Sequence, residues 1–337
     1  MPQLPDPVHT TKSRIFDWYS AQSDDHREHM GASLIGHHCD RYVWLNFHWA
    51  VRPHFAGRIK RLFGTGKREE SRVYEELRAI GVDLHVDDDG KQIECRDESG
   101  HFGGSVDGIG QGFPEAPKSW AVLEVKTMGD KAFGELTKHN VYEAKPQHYA
   151  QMQSYMGLLK IDRALYFAVN KNTDELHTEW VHFDPKEYAK IVERKDRLIS
   201  AKGPPIKLSE DPTYWQCKMC DMYKFCHHGA APETNCRTCV SAMPYAGGLW
   251  RCSHHGCSLT GDEQRAGCSS HTPLLVAPPE LPEAPSPVKM MARSRYVKAP
   301  VSKAPKEPYT GPVPFDDEIP FSSVEAVHLK NTQGNNQ

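Results

Sequence analysis

Gly103-Gly104-Ser105-Val106-Asp107-Gly108, followed across a Gly- and Pro-containing loop by Ala121-Val122-Leu123-Glu124-Val125-Lys126-Thr127, is the stretch that decides the fold. Side chains alternate along a strand, so in residues 121–127 Val122, Glu124 and Lys126 share one side while Leu123 and Val125 share the other. A carboxylate and an ammonium therefore project together from a strand otherwise fit for burial. Asp107 closes the preceding strand-like run, and pairing of the two runs as neighbours would set it beside Glu124 and Lys126. Two carboxylates and a lysine so placed suit phosphodiester hydrolysis. Hard oxygen ligands hold Mg²⁺ or Mn²⁺, which polarises a phosphate and lowers the pKa of an attacking water, and Lys126 orients that water or stabilises the developing charge. An Asp in a Gly-rich turn and a Glu-x-Lys in a strand also arise by chance as solvated groups, so the order of elements around them matters.

Upstream, Val73, Leu77 and Ile80 recur at helical spacing, and Gly81 is suited to end a helix over 67–80. Strand-like runs follow over 82–86, 92–96 and 102–107, before the strand over 121–127. Pro146, a good first helical residue, opens a helix with Tyr149, Met152, Met156 and Leu159 on its apolar side. Residues 164–169 and 176–183 read as strands. Asp184-Pro185-Lys186-Glu187 reads as an N-cap with a carboxylate reaching back, opening a helix with Tyr188, Ile191, Val192 and Leu198 inward.

The succession Asp107, Glu124-Val125-Lys126, then Gln151 and Tyr155 on the next helix resembles the PD-(D/E)xK nuclease superfamily, in its RecB-like and lambda-exonuclease-like branches, over about residues 39–226. The resemblance implies a restriction-endonuclease-like α/β core, a mixed central sheet flanked by helices. Gly66-Lys67-Arg68-Glu69-Glu70 looks like the family's Gly-x-x-x-Glu, which makes Glu70 a further carboxylate. The catalytic set it implies is Asp107, Glu124, Lys126, Glu70, Gln151 and Tyr155, with Glu70, Asp107 and Glu124 as ligands of Mg²⁺ or Mn²⁺. The family's proline is replaced by Val106. The implied activity is a DNA exonuclease, of the kind a phage uses in recombination, replication or repair. Two rivals are a non-catalytic DNA-binding or adaptor protein that keeps the fold, and a CRISPR-adaptation nuclease.

Eight of the ten cysteines fall between residues 217 and 268, a density that favours metal over disulfides in an intracellular protein. Cys217, Cys220 and Cys226 are one short of the four thiolates that an iron–sulfur cluster or a structural zinc prefers. One cysteine before the core and three after it resembles the 4Fe–4S nucleases of the AddB and CRISPR-associated RecB-like type, which implies Cys39 as the fourth ligand. The alternative is zinc held with His227 or His228. Further on, Cys236, Cys239, Cys252 and Cys268 form a zinc set, with His255 and His271 in reserve, Cys257 left over, and Arg237, Arg251 and Arg265 available to phosphate. Cys95 reads as structural.

The expected domains are a nuclease domain with an iron–sulfur staple over 1–230, a Cys/His zinc module over 231–275 and a disordered Pro-rich tail over 276–337, too polar to bury a core. Within the tail, residues 314–321 resemble the acidic C-terminal tip of single-stranded-DNA-binding proteins, although the chain continues to Gln337. That implies a partner besides DNA: a single-strand annealing or single-stranded-DNA-binding protein, or a host protein that reads such tips. With 41 basic and 44 acidic residues the net charge is −3, so contact with DNA must rest on local patches. No stretch approaches the roughly 18–20 apolar residues of a membrane span and the first residues lack an apolar signal core, so no membrane contact is expected and the location is cytoplasmic, in the host for a phage protein.

Overall fold

The structure is a computed structural model that describes residues 10–88 and 91–274. In chain order its helices are α1 (Thr11–Ser20), α2 (Ala32–Ile35), α3 (Asp40–Phe47), α4 (Gly57–Ala79), α5 (Asp130–Lys138), α6 (Val141–Ala144), α7 (Pro146–Leu159), α8 (Pro185–Ser200), α9 (Trp215–Lys218), α10 (Tyr223–His228) and α11 (Gly261–Ala266). The strands are β1 (Met30–Gly31), β2 (Asp83–His85), β3 (Asp87–Asp88), β4 (Lys91–Gln92), β5 (Glu94–Arg96), β6 (Phe102–Ser105), β7 (Gly108–Gln111), β8 (Ala121–Met128), β9 (Arg163–Asn170), β10 (Leu176–His182), β11 (Ala242–Pro244), β12 (Trp250–Cys252) and β13 (Cys257–Leu259).

A mixed five-stranded sheet in the order β10-β9-β8-β7-β2 forms the centre. β2, β7 and β8 run as an antiparallel meander, β9 joins β8 in parallel, and β10 returns antiparallel. A parallel neighbour requires a crossover, and the chain between β8 and β9 makes it through α5, α6 and α7. One side of the sheet presents Leu84, Ala121, Leu123, Val125, Leu165, Phe167 and Val169 to Val73 and Leu77 of α4, together with Val82 and Phe113. The other side carries Val122 and Glu124, and α7 packs there with Met152, Tyr155 and Met156 buried. This is the mixed α/β core with flanking helices that the sequence led us to expect.

Several expectations are corrected. The run 102–107 does not pair with β8. Its strand, β6, lies between β1 and β5 in a separate three-stranded sheet, and β8 instead pairs with β7. In β7 glycines alternate with Ile109 and Gln111, so the sequence offers no apolar rhythm to announce a strand. β6 turns away because Gly104 lets its backbone lie against α7: a Cβ there would stand 2.8 Å from Tyr155 Oη. α4 begins at Gly57 rather than Lys67. Its first half is buried at Gly57 and at Lys60, whose ammonium pairs with Asp24 at 2.8 Å, so no apolar stripe marked it. Its end is as expected, with Gly81 at φ 95° just beyond the last turn. Asp184 does cap α8, accepting from Lys186 N at 2.8 Å, but Glu187 reaches forward to Lys190 and not back to the cap. α8 buries Ile191, Lys195 and Leu198, whereas Tyr188 and Val192 are only half-buried. α1, α2, α3, α5 and α6 were not anticipated.

Residues 231–274 fold on their own three-stranded antiparallel sheet, β11-β12-β13, and α11. The key to their docking is Arg237, 1% exposed. Its guanidinium donates to Phe47 O at 3.0 Å, Glu28 O at 2.9 Å and Gln264 Oε1 at 2.7 Å, and lies 3.7 Å over the Trp49 ring. Arg265 pairs with Glu28 and Asp262. Arg237 is thus an internal clamp, not a phosphate contact, which corrects the expectation. The tail and its segment 314–321 lie outside the described residues. Among the described residues no helix is long and apolar enough to cross a membrane.

Candidate active site

Four of the residues singled out in the sequence meet at one end of β8. Asp107 sits at the junction of β6 and β7, where its Oδ2 accepts a hydrogen bond from Val125 N at 2.8 Å and lies 3.9 Å from Lys126 Nζ. The strand pairing of β7 with β8 thus brings Asp107 into place, rather than a pairing of its own run. Lys126 Nζ donates to Glu124 Oε1. Glu70 comes from α4 and feels the charges of Asp107 and Lys126. Three carboxylates and an ammonium from three parts of the chain therefore converge.

Their titration follows from this crowding. Glu124 is wholly buried, and burial, eased by Lys126 but reinforced by Asp107, pushes its carboxyl up to about 7. Burial raises Asp107 against the pull of Lys126, and raises Glu70 together with the repulsion of Asp107. Burial works against charge on Lys126, yet Glu124 and Asp107 outweigh it and hold the ammonium above its usual range. Glu124 Oε2 is buried with no hydrogen-bond partner among the described residues. An orphaned carboxylate oxygen among crowded acids is the kind of hard oxygen donor that suits a divalent cation. As the side chains stand, Lys126 takes up Glu124 Oε1, and among the described residues no group of three or more His, Cys, Asp or Glu is in place to hold a metal ion.

Gln151 and Tyr155 face the same region from α7. Gln151 Nε2 donates to Tyr155 Oη at 3.3 Å, both are buried, and burial with the nearby Glu124 raises the phenol. Three neighbours went unread in the sequence. Tyr74, one turn after Glu70, is raised by burial and by Asp107, Glu70 and Glu124; its i+4 spacing from Glu70 was the available signal. Tyr166 stands opposite Glu124 in the β8–β9 register, and its Oη is 2.7 Å from His148 Nδ1. Burial, then Lys126, pulls His148 down to about 3, so its ring is neutral. No local pattern announces either residue.

A second constellation lies at Cys39, which caps α3. Cys39, Cys217, Cys220 and Cys226 line one cavity of about 250 Å³ with Tyr42, Trp215 and His227. Tyr42 N donates to Cys39 Sγ and Met222 N to Cys220 Sγ, each at 3.4 Å. Burial raises the Cys39 thiol, helped by Cys226 and Cys217, and pushes Cys220 up to about 11. The two ends of the chain segment are tied nearby: Trp44 Nε1 donates to Ala201 O at 3.2 Å and Arg41 to Pro205 O at 2.8 Å. Four thiols on one cavity, two with N–H donors to sulfur, have the donor chemistry of a cluster or a metal that requires thiolates, although as the side chains stand they too are not in place to hold one. His228 does not line this cavity.

The second cysteine set also gathers. Burial pushes Cys236 up to about 11, followed by the influence of Cys268, Cys239 and Cys252. His255 Nε2 is 3.7 Å from Cys268 Sγ, while His271 Nε2 is 3.1 Å from Thr238 Oγ1. Cys257 is exposed opposite Cys252. Cys95 is buried against Gly104 O, with burial pushing its thiol up to about 12, as suits a structural residue.

No family model and no curated protein matches the chain. Among solved structures it is similar to an alkaline exonuclease from Laribacter hongkongensis, at 15% identity and a TM-score of 0.37, over 55% of this chain and 90% of that one. The same exonuclease in complex with dAMP gives 13% identity, a TM-score of 0.38 and the same coverage. A phage related exonuclease from Haemophilus somnus is similar at 15% identity and a TM-score of 0.34, over 47% of this chain and 77% of that one.

Proposed function

We propose that the protein is a Mg²⁺- or Mn²⁺-dependent deoxyribonuclease that degrades DNA from an end. The observation that carries this reading is the meeting of Glu70, Asp107 and Glu124 around Lys126, with the buried Glu124 Oε2 lacking a partner. A divalent cation held by these carboxylates supplies Lewis-acid polarisation of a phosphate and a water of lowered pKa. The chain's own groups do the rest. Lys126 is kept charged by Glu124 and Asp107 and can shift its ammonium onto the charge that develops on phosphorus oxygens. Asp107 is fixed by Val125 N, so its second oxygen keeps one direction. Tyr155, protonated and hydrogen-bonded by Gln151, walls the site on the α7 side.

In the same proposal Cys39, Cys217, Cys220 and Cys226 carry a 4Fe–4S cluster that staples α3 to the segment after α8, and Cys236, Cys239, Cys252 and Cys268 carry zinc. One observation favours zinc at the first site as well: His227 Nε2, on the cavity, is buried without a partner among the described residues. Iron and zinc analysis of protein purified without oxygen separates the two. A role in phage recombination, replication or repair, and a tip-reading partner for residues 314–321, follow only from the sequence resemblances.

The test incubates purified protein with end-labelled single- and double-stranded DNA and Mg²⁺ or Mn²⁺. Degradation by the wild type, with loss of at least about two orders of magnitude in Glu124→Gln, Lys126→Ala and Asp107→Asn, is the expected outcome. Variants that cut at the wild-type rate would sink the assignment. A wild type that binds DNA without cutting it would favour the adaptor.

A further inference from the structure

Phe63, Lys67 and Glu70 are spaced four and three residues apart on α4, so they line up along one side of the helix. That side is the one turned to the candidate site. Burial and Asp107 raise the Glu70 carboxyl against the pull of Lys126 and Lys67, and a Cβ on Gly66 would stand 3.9 Å from Thr127 Oγ1, next to Lys126 on β8. Phe63 is 49% exposed, and its ring meets that of Phe55 edge-on at 5.1 Å. From Gly57 to Arg68 the helix carries exposed Arg58, Arg61, Lys67 and Arg68 and no carboxylate. None of these four is in an ion pair among the described residues, and by the helical period Lys67 lies on the side of Phe63 and Glu70 while Arg58, Arg61 and Arg68 lie away from it. Beyond Glu70 the pattern reverses, since Arg72 is matched by Glu69 and Glu76.

We propose that this face of α4 is a track for single-stranded DNA, on which an unpaired base stacks on Phe63 while the adjoining phosphate lies against Lys67. This rests on the nuclease reading and adds its substrate class, a strand with an unpaired end. An aromatic ring beside a cation is a pairing that holds single strands, because every base has a face to stack and every linkage a charge to neutralise. In a duplex those faces are already covered. Seven helical residues separate Phe63 from Glu70, about 10 Å of rise, or roughly three nucleotides at about 3.4 Å each.

The experiment is fluorescence anisotropy of a labelled oligonucleotide, single-stranded or as a blunt duplex of the same length, without added divalent metal. Phe63→Ala is expected to weaken single-strand binding about tenfold or more and to leave duplex binding unchanged. Phe63→Trp restores binding and Phe63→Leu does not. Lys67→Gln lowers the salt dependence on single strands by about 0.7 in the log–log slope. The track is overturned if Phe63→Ala binds the single strand as the wild type does, if Leu rescues as well as Trp, or if Phe63→Ala turns a wild-type dimer into a monomer. The two readings fail separately. A wild type that binds single strands through Phe63 yet cleaves nothing in Mg²⁺ or Mn²⁺ loses the nuclease reading and keeps the track. One that degrades duplex ends with Phe63→Ala unaffected on single strands does the reverse.

Discussion

At Glu124 two demands meet in one carboxyl. Burial pushes its pKa up to about 7 while Lys126 pulls it down, and a cation can be bound only by the ionised form. Because the folded-state value lies above the ordinary glutamate value, the folded protein holds this proton more tightly than the unfolded chain does. This group's contribution to stability therefore declines as pH rises from the ordinary glutamate range through about 7. A divalent cation offsets that loss by favouring the ionised carboxylate. Thermal melts should then show Mg²⁺ or Mn²⁺ raising the Tm more at pH 8 than at pH 6, with the increment gone in Glu124→Gln. Equal increments at the two pH values would show that the cation binds elsewhere. Glu124 and Lys126 were legible from the alternation of one strand, and Tyr166 was not, since only the β8–β9 register sets it against Glu124.

Between elements, the contact that shapes the site is the one between β6 and α7. Tyr155 is 3% exposed and cannot swing aside, and the missing side chain of Gly104 makes its room. Gly104→Ala should destabilise the fold by about 1–3 kcal/mol, lower the Tm by several degrees and slow DNA cleavage through displacement of Tyr155. An unchanged melting temperature would mean that β6 yields freely. The Cys-rich segment depends on a comparable contact at Arg237. Burial pulls its pKa down to about 9, which still leaves it charged at neutral pH among three acceptors. Arg237→Ala should cost at least about 3 kcal/mol in urea unfolding, and Arg237→Lys should recover little, because one ammonium cannot span three directions. Full recovery by lysine would reduce the clamp to a simple charge.

On the scale of the whole molecule, the two ends of the core are close before any metal is considered. Asp40 at the start of α3 pairs with both Arg194 and Arg197 of α8, and Trp44 and Arg41 reach the segment after it. A cluster on Cys39, Cys217, Cys220 and Cys226 would lock that closure. Cys39→Ser should accordingly lose iron and lower the melting temperature, whereas Cys95→Ser should keep its iron, since Cys95 is buried away from the cavity. Iron retained in Cys39→Ser would remove Cys39 from the ligand set.

What the sequence determined by itself is local: the alternation that sets Glu124 beside Lys126, the N-cap at Asp184, Pro146 opening α7, the spacing of Gly66 and Glu70, and the grouping of cysteines by short intervals. Each is a relation between residues a few positions apart, which strand and helix periods fix without knowledge of the rest. Only the tertiary structure decided that Asp107 reaches Glu124 through β7 rather than its own strand, that Arg237 is an internal clamp, and that His148 and Tyr166 close around the site. Those relations span from 18 to 209 positions of sequence, as in Asp107 with Val125 and Arg237 with Glu28. They follow from which surfaces can be buried together, a property of the packed chain that no local period encodes.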